Sequence, residues 1–337
     1  MSKVLIICPS FHYFPKSIER AFKNLGWDTM LETYDEPIHP NSLFNRLLYK
    51  CLSNKERLVE KSRKRWKTYI EQQYISFNPD LVFIIKGINL LPETVRFFHQ
   101  HSKIVLWMYD SITRYDNRLG ALVPEADFVF CYEKKDIDWC KQYCNNVNFL
   151  AQAVDETIYK PLNIEKDIDI LFVGGIYKSP KRQKILNVVI THFPTRKIVF
   201  YGIYKPWYKN PIKWLFREHR KIFKNHDIDS NQVNEYYNRA HVVLNVHREQ
   251  QSDGANPKVF EICGSKAIQV CDANPYITSV FSKNEIELYH NDEELITAIN
   301  RALEEDKTTA VEEAYNIVLG NHTFTKRIEY LLSIIKL

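Results

Sequence analysis

Residues 169–175 are DILFVGG, an apolar run that ends in two glycines, and they are followed at 179–193 by SPKRQKILNVVITHF. A short apolar run bounded by glycine is typical of a buried strand, whereas the longer segment carries apolar residues at helical spacing. The same alternation continues through three further segments, KIVFYG, NQVNEYYNRA and HVVLNVH. Strands that alternate with helices at this spacing indicate a parallel sheet with helices on both faces.

The first half of the chain shows this alternation as well. Four of its segments predict strands: KVLIICP, PDLVFIIKG, KIVLWMYD and ADFVFCYE. Between the halves lies a polar connection that contains Pro161, and the chain of 337 residues exceeds twice a typical domain of about 100–150 residues. We therefore predict the α/β class, with two Rossmann-like domains at 1–154 and 155–337 whose parallel sheets face a central cleft. The last helix is a candidate to pack back on the first domain.

The overall composition is that of a folded globular protein. Hydrophobic residues make up 45%, charged residues 26% and aromatic residues 13% of the chain, which excludes extensive disorder. The N-terminal sequence MSKVLIICPSFHY has too short an apolar run for a signal peptide, and no run is long enough to cross a bilayer. The seven cysteines are odd in number and lack metal-type spacing. We expect reduced thiols and a cytoplasmic protein.

The net charge of +5 is concentrated in two segments. Residues 46–70 predict a basic helical insertion in the first domain, for which a solvated helix face is an equally good explanation. Residues 205–224 combine lysine and arginine with aromatic rings, which suits an anionic membrane surface. The residues expected to contact a membrane or an acceptor are Trp207, Lys213, Trp214, Arg217 and Lys221. We expect peripheral association with the inner face of the cell membrane.

Candidate ligand-binding residues follow the strands of the second domain, because ligands of doubly wound sheets bind at the carboxyl ends of the strands. Gly174 and Gly175 allow close backbone approach, and the next helix offers its N-terminal N–H groups to a phosphate. A tight turn explains the glycine pair equally well. The other candidates lie near the same anion or at neighbouring strand ends: Lys178, Arg182, Tyr201, Gly202, Asn245 and His247. A lone histidine in such a place is more often structural than catalytic.

Residues 253–270, DGANPKVFEICGSKAIQV, place Asp253, Lys258 and Glu261 on a loop and at the start of a predicted helix. A carboxylate can accept hydrogen bonds from two sugar hydroxyls, and a neighbouring cation can screen a diphosphate. A nucleotide sugar needs both groups at once. The alternative is that Glu261 has no ligand and only stabilises the helix, because a negative charge near a helix N-terminus interacts favourably with the helix dipole. The candidate donor-binding set also includes Asn256, Val259 and Phe260.

Several of these segments resemble the CgeB-like bacterial glycosyltransferases, a family named after a spore-maturation protein and belonging to the two-domain GT-B transferases. The resemblance rests on EYYNRAHVVLNVHRE, DGANPKVFEICGSKAIQV, VFSKNEIELYHNDEELITAI and NHTFTKRIEYLL, and the predicted strands of the first half follow in a similar order. It implies that the second domain holds a nucleotide-diphosphosugar and the first holds the acceptor. Transfer would then take place in the cleft between them.

The resemblance also implies roles for individual residues. Related retaining transferases carry two glutamates with seven residues between them, and Asp253 and Glu261 match that spacing with aspartate in the first place. Glu261 would then bind the ribose hydroxyls, and Asp253 would lie near the donor sugar. Lys258 stands where the family usually has arginine, and Asp110 stands where relatives have a histidine that faces the sugar. Asp253 and Asp110 are the candidate catalytic residues. Retention through an oxocarbenium-like state is implied by the resemblance alone.

The expected reaction transfers a sugar to a glycan, a lipid-linked molecule or a protein in surface polysaccharide or glycoconjugate assembly. The nucleotide-diphosphosugar is the expected co-substrate, and neither a cofactor nor a metal is expected. None of the three DID sequences, at 136, 167 and 227, has the position after an apolar strand that a metal clamp needs, and we interpret them as surface acids or caps. The alternatives are a nucleotide-sugar epimerase on the same fold and a non-catalytic protein that binds nucleic acid or membrane. Nucleic acid is not an expected partner, because no recognised nucleic-acid module is present.

Overall fold

The computed structural model describes residues 1–10, 12–34, 55–88, 90–112, 120–177, 179–203, 221–249 and 251–337. The chain divides into two compact units. Unit 1 comprises Met1–Ala151 and Phe324–Leu337, and unit 2 comprises Gln152–Thr323. The chain therefore enters unit 2 at residue 152, whereas the sequence predicted residue 155, and its last residues belong to unit 1.

The described part of unit 1 contains a parallel sheet. Its strands are β1 (Lys3–Cys8), β2 (Asp28–Thr33), β3 (Leu81–Ile85), β4 (Lys103–Trp107), β5 (Phe128–Cys131) and β6 (Val147–Phe149). They lie in the order β2-β1-β3-β4-β5-β6. The helices of this unit are α1 (Phe14–Asn24), α2 (Lys55–Phe77), α3 (Pro92–Phe98), α4 (Ile137–Cys140) and α11 (Phe324–Ile335).

The described part of unit 2 contains a second parallel sheet. Its strands are β7 (Ile168–Val173), β8 (Ile198–Tyr201), β9 (Ala240–Asn245), β10 (Ile268–Asp272) and β11 (Glu287–Tyr289). They lie in the order β11-β10-β9-β7-β8. The helices are α5 (Pro180–His192), α6 (Ser230–Arg239), α7 (Lys258–Gly264), α8 (Pro275–Val280), α9 (Asp292–Glu304) and α10 (Thr308–Asn321).

The central strands are continuous apolar runs rather than alternating ones. Residues 4–7 of β1, 81–83 of β3 and 105–107 of β4 are completely shielded from solvent. Both faces of a parallel sheet are covered by crossover helices, so both faces of each strand are apolar. The predicted α/β fold with two parallel sheets is confirmed.

Helix α11 packs against α1 within unit 1. The Phe324 ring lies 6.0 Å from the Phe14 ring and 6.2 Å from the Tyr13 ring, measured between centroids. The Lys103 ammonium donates a hydrogen bond to the Ile335 carbonyl at 2.9 Å. These contacts explain why the last residues of the chain belong to the first unit.

The described part of the basic insertion is a helix with one buried face. Trp66, Ile70 and Tyr74 of α2 are 3%, 0% and 2% exposed. On the outer surface, Lys64 and Lys67 form ion pairs with glutamates four residues away. This arrangement fits the solvated helix face that the sequence allowed as an alternative. None of the described helices has both the length and the apolar character needed to span a bilayer.

Candidate functional site

The carboxyl ends of the strands of unit 2 meet at one edge of the sheet, because neighbouring strands are parallel. Gly174 and Gly175 follow β7 there, and Gly202 follows β8. The Gly174 N–H donates to the Tyr201 carbonyl at 2.9 Å. Gly202 has a φ of +120°, and a Cβ at this position would collide with the Gly174 carbonyl. Glycine at 202 is therefore required by the close approach of two strand ends.

Tyr201 packs against two other rings at this edge. Its centroid lies 4.5 Å from that of Tyr236 and 5.5 Å from that of His226. Burial, together with a hydrogen bond to Tyr236, raises the pKa of the Tyr201 hydroxyl. The contact of Tyr201 with a donor stays a prediction.

A carboxylate of the protein itself lies at the N-terminus of helix α5. Glu249 accepts hydrogen bonds from the Lys181 N–H at 2.9 Å and from the Ser179 hydroxyl at 3.1 Å. Burial acts to raise the pKa of Glu249, but these hydrogen bonds and the charge of Arg182 outweigh burial and lower it. The sequence predicted that this helix N-terminus would offer its N–H groups to a phosphate, whereas one of them is already engaged. Sequence reasoning missed Glu249, which lies 68 residues from Lys181 along the chain.

Arg182 is a buried cation that joins two strand ends. Its Nε donates to the Val246 carbonyl and its Nη1 donates to the Gly175 carbonyl, both at 2.9 Å. The guanidinium also lies over the Phe172 ring, 5.7 Å from its centroid. Burial, followed by the charge of Arg248, lowers the pKa of Arg182 to about 10, so the group is still charged at neutral pH. Phosphate binding by Arg182 stays a prediction, since two of its nitrogens already donate to the backbone.

His247 follows β9 and connects two other segments. Its Nδ1 donates to Asp272 Oδ1 at 2.8 Å, and its Nε2 accepts a hydrogen bond from the Asn256 N–H at 3.3 Å. These two hydrogen bonds, one on each ring nitrogen, fix the orientation of the imidazole. The second oxygen of Asp272, Oδ2, pairs with Lys181 Nζ at 2.5 Å. His247 therefore positions the loop before α7.

The surroundings of Asp272 decide its charge. Burial acts to raise the pKa of the Asp272 carboxyl, but His247 and Lys181 outweigh burial and hold the pKa well below its usual range.

Among the described residues, His247, Cys271 and Asp272 offer ligand atoms within 4.8 Å of one another. Burial, however, raises the pKa of the Cys271 thiol well above its usual value, so the group stays protonated. The expectation that no metal is needed stays a prediction.

Asn245 and Asn256 belong to a buried amide network. Asn256 Nδ2 donates to Asn245 Oδ1 at 2.9 Å, and Asn245 Nδ2 donates to Gln269 Oε1 at 3.1 Å. Gln269 Nε2 donates to the Val259 carbonyl at 3.2 Å. The network fixes β9, β10 and the first turn of α7 to one another. Asn256 Oδ1 is buried and has no hydrogen-bond partner among the described residues.

Helix α7 carries the predicted acid and base. Glu261 is 2% exposed. Its Oε2 lies 3.8 Å from Lys258 Nζ, and the Lys258 side chain is 25% exposed. Burial, followed by the charge of Glu261, raises the pKa of Tyr237 well above its usual value. A buried carboxylate next to an ammonium is thus present where the sequence predicted one, and its contact with a ribose stays a prediction.

The remaining residues of the 253–261 set have local roles. The Val259 N–H donates to the Asn256 carbonyl, and the Phe260 N–H donates to the Pro257 carbonyl. The Phe260 ring stacks on His322 with centroids 4.6 Å apart. Asp253 lies in the loop before the helix and is partly exposed. Roles of Asp253, Val259 and Phe260 in donor binding stay predictions.

In unit 1, Asp110 follows β4 and forms an ion pair with Lys86, which follows β3. The distance from Lys86 Nζ to Asp110 Oδ2 is 2.5 Å, and both side chains are largely shielded from solvent. Lys86 and Tyr109 have φ values of +61° and +45°, a region that favours glycine. Sequence reasoning found Asp110 but missed Lys86, although both residues follow neighbouring parallel strands. The catalytic role of Asp110 stays a prediction.

The DID sequences differ in their surroundings. Asp229 is the N-cap of α6, and Asp167 is an exposed acid that pairs with Arg239 at 2.8 Å. Asp136 is 4% exposed. It accepts hydrogen bonds from the Ser111 hydroxyl and from the Ile112 N–H. Asp136 is therefore not a surface acid. It occupies the N-cap position of α4, but its carboxylate accepts hydrogen bonds from the buried 111–112 turn and not from the helix N–H groups.

Some predicted residues are not described by the structure. Lys178 and four residues of the basic aromatic segment, Trp207, Lys213, Trp214 and Arg217, lie outside the described ranges. Lys221 is described and is exposed.

Solved structures share this architecture. Sucrose-phosphate synthase from Thermosynechococcus elongatus has a TM-score of 0.68 at 12% identity, with 100% of this chain and 99% of that chain covered. A glycosyltransferase from Rickettsia africae ESF-5 has a TM-score of 0.66 at 13% identity, with 99% of each chain covered. Anabaena Alr3699/HepE, in complex with UDP and glucose, has a TM-score of 0.66 at 10% identity, with 100% of each chain covered. The chain has the GT-B fold.

A family match supports the GT-B likeness at the level of sequence. Residues 181–333 match the family model described as glycosyl transferase-like. The matched segment runs from the first turn of α5 into α11 and includes His247, Lys258 and Glu261. No curated protein matches the chain. At identities of 10–13%, the GT-B structures establish the fold and leave the donor and the acceptor open.

Proposed function

We propose that the protein is a glycosyltransferase that moves a sugar from a nucleotide-diphosphosugar to an acceptor. The observation that carries this proposal is the buried Glu261 carboxylate, 3.8 Å from the Lys258 ammonium, at the start of a helix that begins at the carboxyl edge of a parallel sheet. This pair lies within the segment that matches the glycosyl transferase-like family model. The fold adds support, because solved structures that share it include one in complex with UDP and glucose and one bound with UDP-2-fluoro glucose.

In the proposed complex, the Glu261 carboxylate accepts hydrogen bonds from the ribose hydroxyls and the Lys258 ammonium lies towards the diphosphate. Asp253 lies near the donor sugar. His247 and the amide network hold the 253–257 loop through the Asn256 N–H and side chain. Since Glu261 is 2% exposed, the neighbouring side chains have to move when a nucleotide enters. Pre-organised hydrogen-bond donors would stabilise the charge that develops on the leaving diphosphate.

By resemblance to the CgeB-like transferases, we further propose the stereochemistry, the acceptor, the pathway and the location of the reaction. Transfer proceeds with retention, without a metal, to a glycan, a lipid-linked molecule or a protein. The pathway is surface polysaccharide or glycoconjugate assembly, and the enzyme works in the cytoplasm at the inner face of the membrane. Asp110, held by Lys86 at 2.5 Å, takes the place of the histidine that faces the sugar in relatives.

The test is a thermal-shift panel of UDP-, GDP-, CMP- and dTDP-sugars with the wild type and the Glu261→Gln variant. A ligand that binds only the native state adds about 2.7 kcal/mol at 100 times its Kd, so the unfolding midpoint rises. We expect one nucleotide class to stabilise the wild type and to lose this effect in the variant. The matched control is Glu313→Gln, since Glu313 is exposed on α10 and far along the chain from the loop.

Two outcomes contradict the proposal. The first is a cooperative melt of the wild type that none of the sugars shifts. The second is turnover of a nucleotide sugar without any acceptor to a stereoisomer, which indicates an epimerase. If a nucleotide sugar stabilised the wild type and Glu261→Gln equally, the protein would bind the nucleotide sugar, but Glu261 would not contribute to the binding.

A further inference from the structure

We propose that the side-chain oxygen of Asn256 accepts a hydrogen bond from a hydroxyl of the donor sugar, and that Asn245 and Gln269 position this oxygen. This role rests on the proposed function and deepens it, because it assigns one atom of the protein to the transferred sugar. Asn256 is 4% exposed, and within the described ranges its Oδ1 has no hydrogen-bond partner. A buried amide oxygen without a donor is unfavourable, so such an atom in a folded protein calls for a ligand or a water.

A backbone carbonyl fixes the direction of the three side-chain amides. The Val259 carbonyl can only accept a hydrogen bond, so the Gln269 atom 3.2 Å from it is the nitrogen Nε2. The oxygen of Gln269 then faces Asn245, whose Nδ2 donates to it at 3.1 Å. Asn245 in turn presents its Oδ1 to Asn256, which donates through Nδ2 at 2.9 Å. Reversal of any one amide would bring two oxygens together, and the oxygen of Asn256 is therefore the acceptor left over at the end of the chain of amides.

The backbone of Asn256 is held as well as its side-chain nitrogen. Its N–H donates to His247 Nε2 at 3.3 Å, and its carbonyl accepts the Val259 N–H at 3.2 Å. Asn245 and Gln269 are each 1% exposed, so water does not compete for this network. The amide of Asn256 therefore cannot turn its oxygen elsewhere without breaking hydrogen bonds. A ligand reaches the shielded oxygen when neighbouring side chains move, while the network keeps the amide in place.

The neighbouring polar groups favour a ligand with several hydroxyl donors. Residues 253–261 carry two carboxylates, Asp253 and Glu261, and one ammonium, Lys258, whose Nζ lies 3.8 Å from Glu261 Oε2. Carboxylates and an amide oxygen all accept hydrogen bonds, and each free hydroxyl of a sugar supplies a donor. Glu261 is assigned to the ribose, whereas Asn256 is nearer along the chain to Asp253, the residue proposed to lie near the donor sugar. A hydroxyl of that sugar is therefore the donor that fits Asn256 Oδ1.

A buried acceptor makes the site selective for the hydroxyl that it binds. A sugar that lacks this hydroxyl leaves Asn256 Oδ1 shielded and unpaired, and sites of this kind reject such analogues strongly. Asn256 is then a specificity-determining residue. Asn245 and Gln269 are positioning residues that act through it.

The experiment compares nucleoside diphosphates with matching nucleotide sugars by calorimetric titration. The probe pairs are UDP/UDP-glucose, UDP/UDP-N-acetylglucosamine, GDP/GDP-mannose and dTDP/dTDP-glucose. The proteins are wild type, Asn256→Ala, Asn256→Leu, Asn245→Leu and the matched control Asn300→Ala, since Asn300 is exposed on α9. Thermal unfolding of each variant verifies that it folds, and the two substitutions at 256 keep the test decisive if one of them does not fold.

We expect both Asn256 variants to weaken binding of the nucleotide sugar by roughly tenfold or more, because a buried hydrogen bond is lost. Binding of the matching nucleoside diphosphate should change by less than about threefold, since that ligand lacks the sugar. Asn245→Leu should give a smaller loss in the same direction, because the acceptor remains but its amide is free to turn. Asn300→Ala should bind both members of each pair as the wild type does.

Monodeoxy analogues of the nucleotide sugar that binds most tightly identify the hydroxyl. For one analogue, the wild type should lose roughly tenfold or more in affinity while Asn256→Ala loses less than about threefold, because the variant has already lost the contact. Equal losses in wild type and variant with every analogue would overturn the contact.

The outcomes separate the role of Asn256 from the proposed function. If the wild type binds a nucleotide sugar and the Asn256 variants bind it equally well, the role of Asn256 is overturned and the proposed function stands. If these variants weaken both members of a pair equally, the residue acts on the nucleoside or on the fold, and the assignment to the sugar is wrong. If Asn245→Leu leaves the selectivity unchanged, Asn245 is not a positioning residue. If the folded wild type binds none of the probes, the proposed function fails and the role of Asn256 fails with it.

Discussion

Asp272 shows how one buried side chain fixes several others. Its Oδ1 accepts hydrogen bonds from the backbone N–H and the imidazole of His247, and its Oδ2 pairs with Lys181. His247 in turn accepts the Asn256 N–H. A carboxylate at the end of β10 therefore fixes, through His247, the position of the loop before α7. The sequence singled out His247, whereas Asp272 gives that histidine its orientation.

Asp272→Asn should lower the free energy of unfolding by roughly 2–4 kcal/mol at pH 7, because a buried ion pair and two hydrogen bonds are lost or weakened. The pKa of Asp272 is depressed in the folded state. Its contribution is then complete above the unfolded pKa of about 3.9 and is lost as the pH falls below that value. We expect urea denaturation of the wild type to show a steeper loss of stability from pH 5 downward than the variant shows.

The exposed Glu313→Gln variant is the control for this acid dependence. If the wild type and Asp272→Asn lost the same free energy of unfolding below pH 5, the charge of Asp272 would make no contribution to stability, and the ion pair with Lys181 would not be stabilising.

At the level of elements, the close approach of β7 and β8 sets the shape of the candidate site. The Gly174 carbonyl lies where a Cβ of residue 202 would be, and Gly202 has a φ of +120°. The two strand ends can approach only because residue 202 lacks a side chain. The glycine pair at 174 and 175 has different reasons, since its neighbours are side chains: Phe172 and Arg182 at 174, and Arg248 at 175.

Gly202→Ala should therefore destabilise the protein by about 2 kcal/mol or more, because both the backbone conformation and the contact with a carbonyl are unfavourable. Gly320→Ala is the matched substitution on helix α10, where a Cβ meets nothing within 4 Å. It should be neutral or stabilising by up to about 1 kcal/mol, because alanine favours a helix. Denaturant unfolding of both variants measures the difference, and equal stabilities would contradict the assignment of Gly202.

The sequence predicted most strands and helices but missed short or weakly patterned ones. β2 lies at the edge of its sheet with residues that are mostly half-buried, so its apolar pattern is weak. The charge run in the basic insertion did not reveal that Trp66, Ile70 and Tyr74 form a buried face of α2. Hydrophobic periodicity reveals a buried helix face when the apolar residues recur at regular helical spacing. In this helix, the many charged residues between them obscure that spacing.

For the whole molecule, the GT-B fold does not identify the donor or the acceptor. The proposed membrane contact of residues 205–224 is tested separately. Reversal of three charges with Lys213→Glu, Arg217→Glu and Lys221→Glu should weaken co-sedimentation with anionic vesicles by roughly 100-fold or more. Each basic residue near such a surface contributes about 1 kcal/mol. Added salt should weaken the wild type in the same direction.

The control for this experiment reverses three exposed lysines elsewhere, Lys141, Lys160 and Lys336. Binding to vesicles that is indifferent to anionic lipid, or equal losses in the two triple variants, would remove the 205–224 segment as a membrane contact.

Local apolar patterns and the residues that follow strands are enough to predict the α/β class, the parallel sheets and the regions that contain the candidate site. Which of those residues are engaged by the protein itself depends on how distant parts of the chain pack in three dimensions. Glu249 reaches the N-terminus of α5 across 68 residues, and Lys181 reaches Asp272 across 91. Arg182 is used to hold strand ends, and Arg248 occupies the space beside Gly175. Such choices depend on the packing of distant segments, which fixes the partner of each polar group and which no local pattern records.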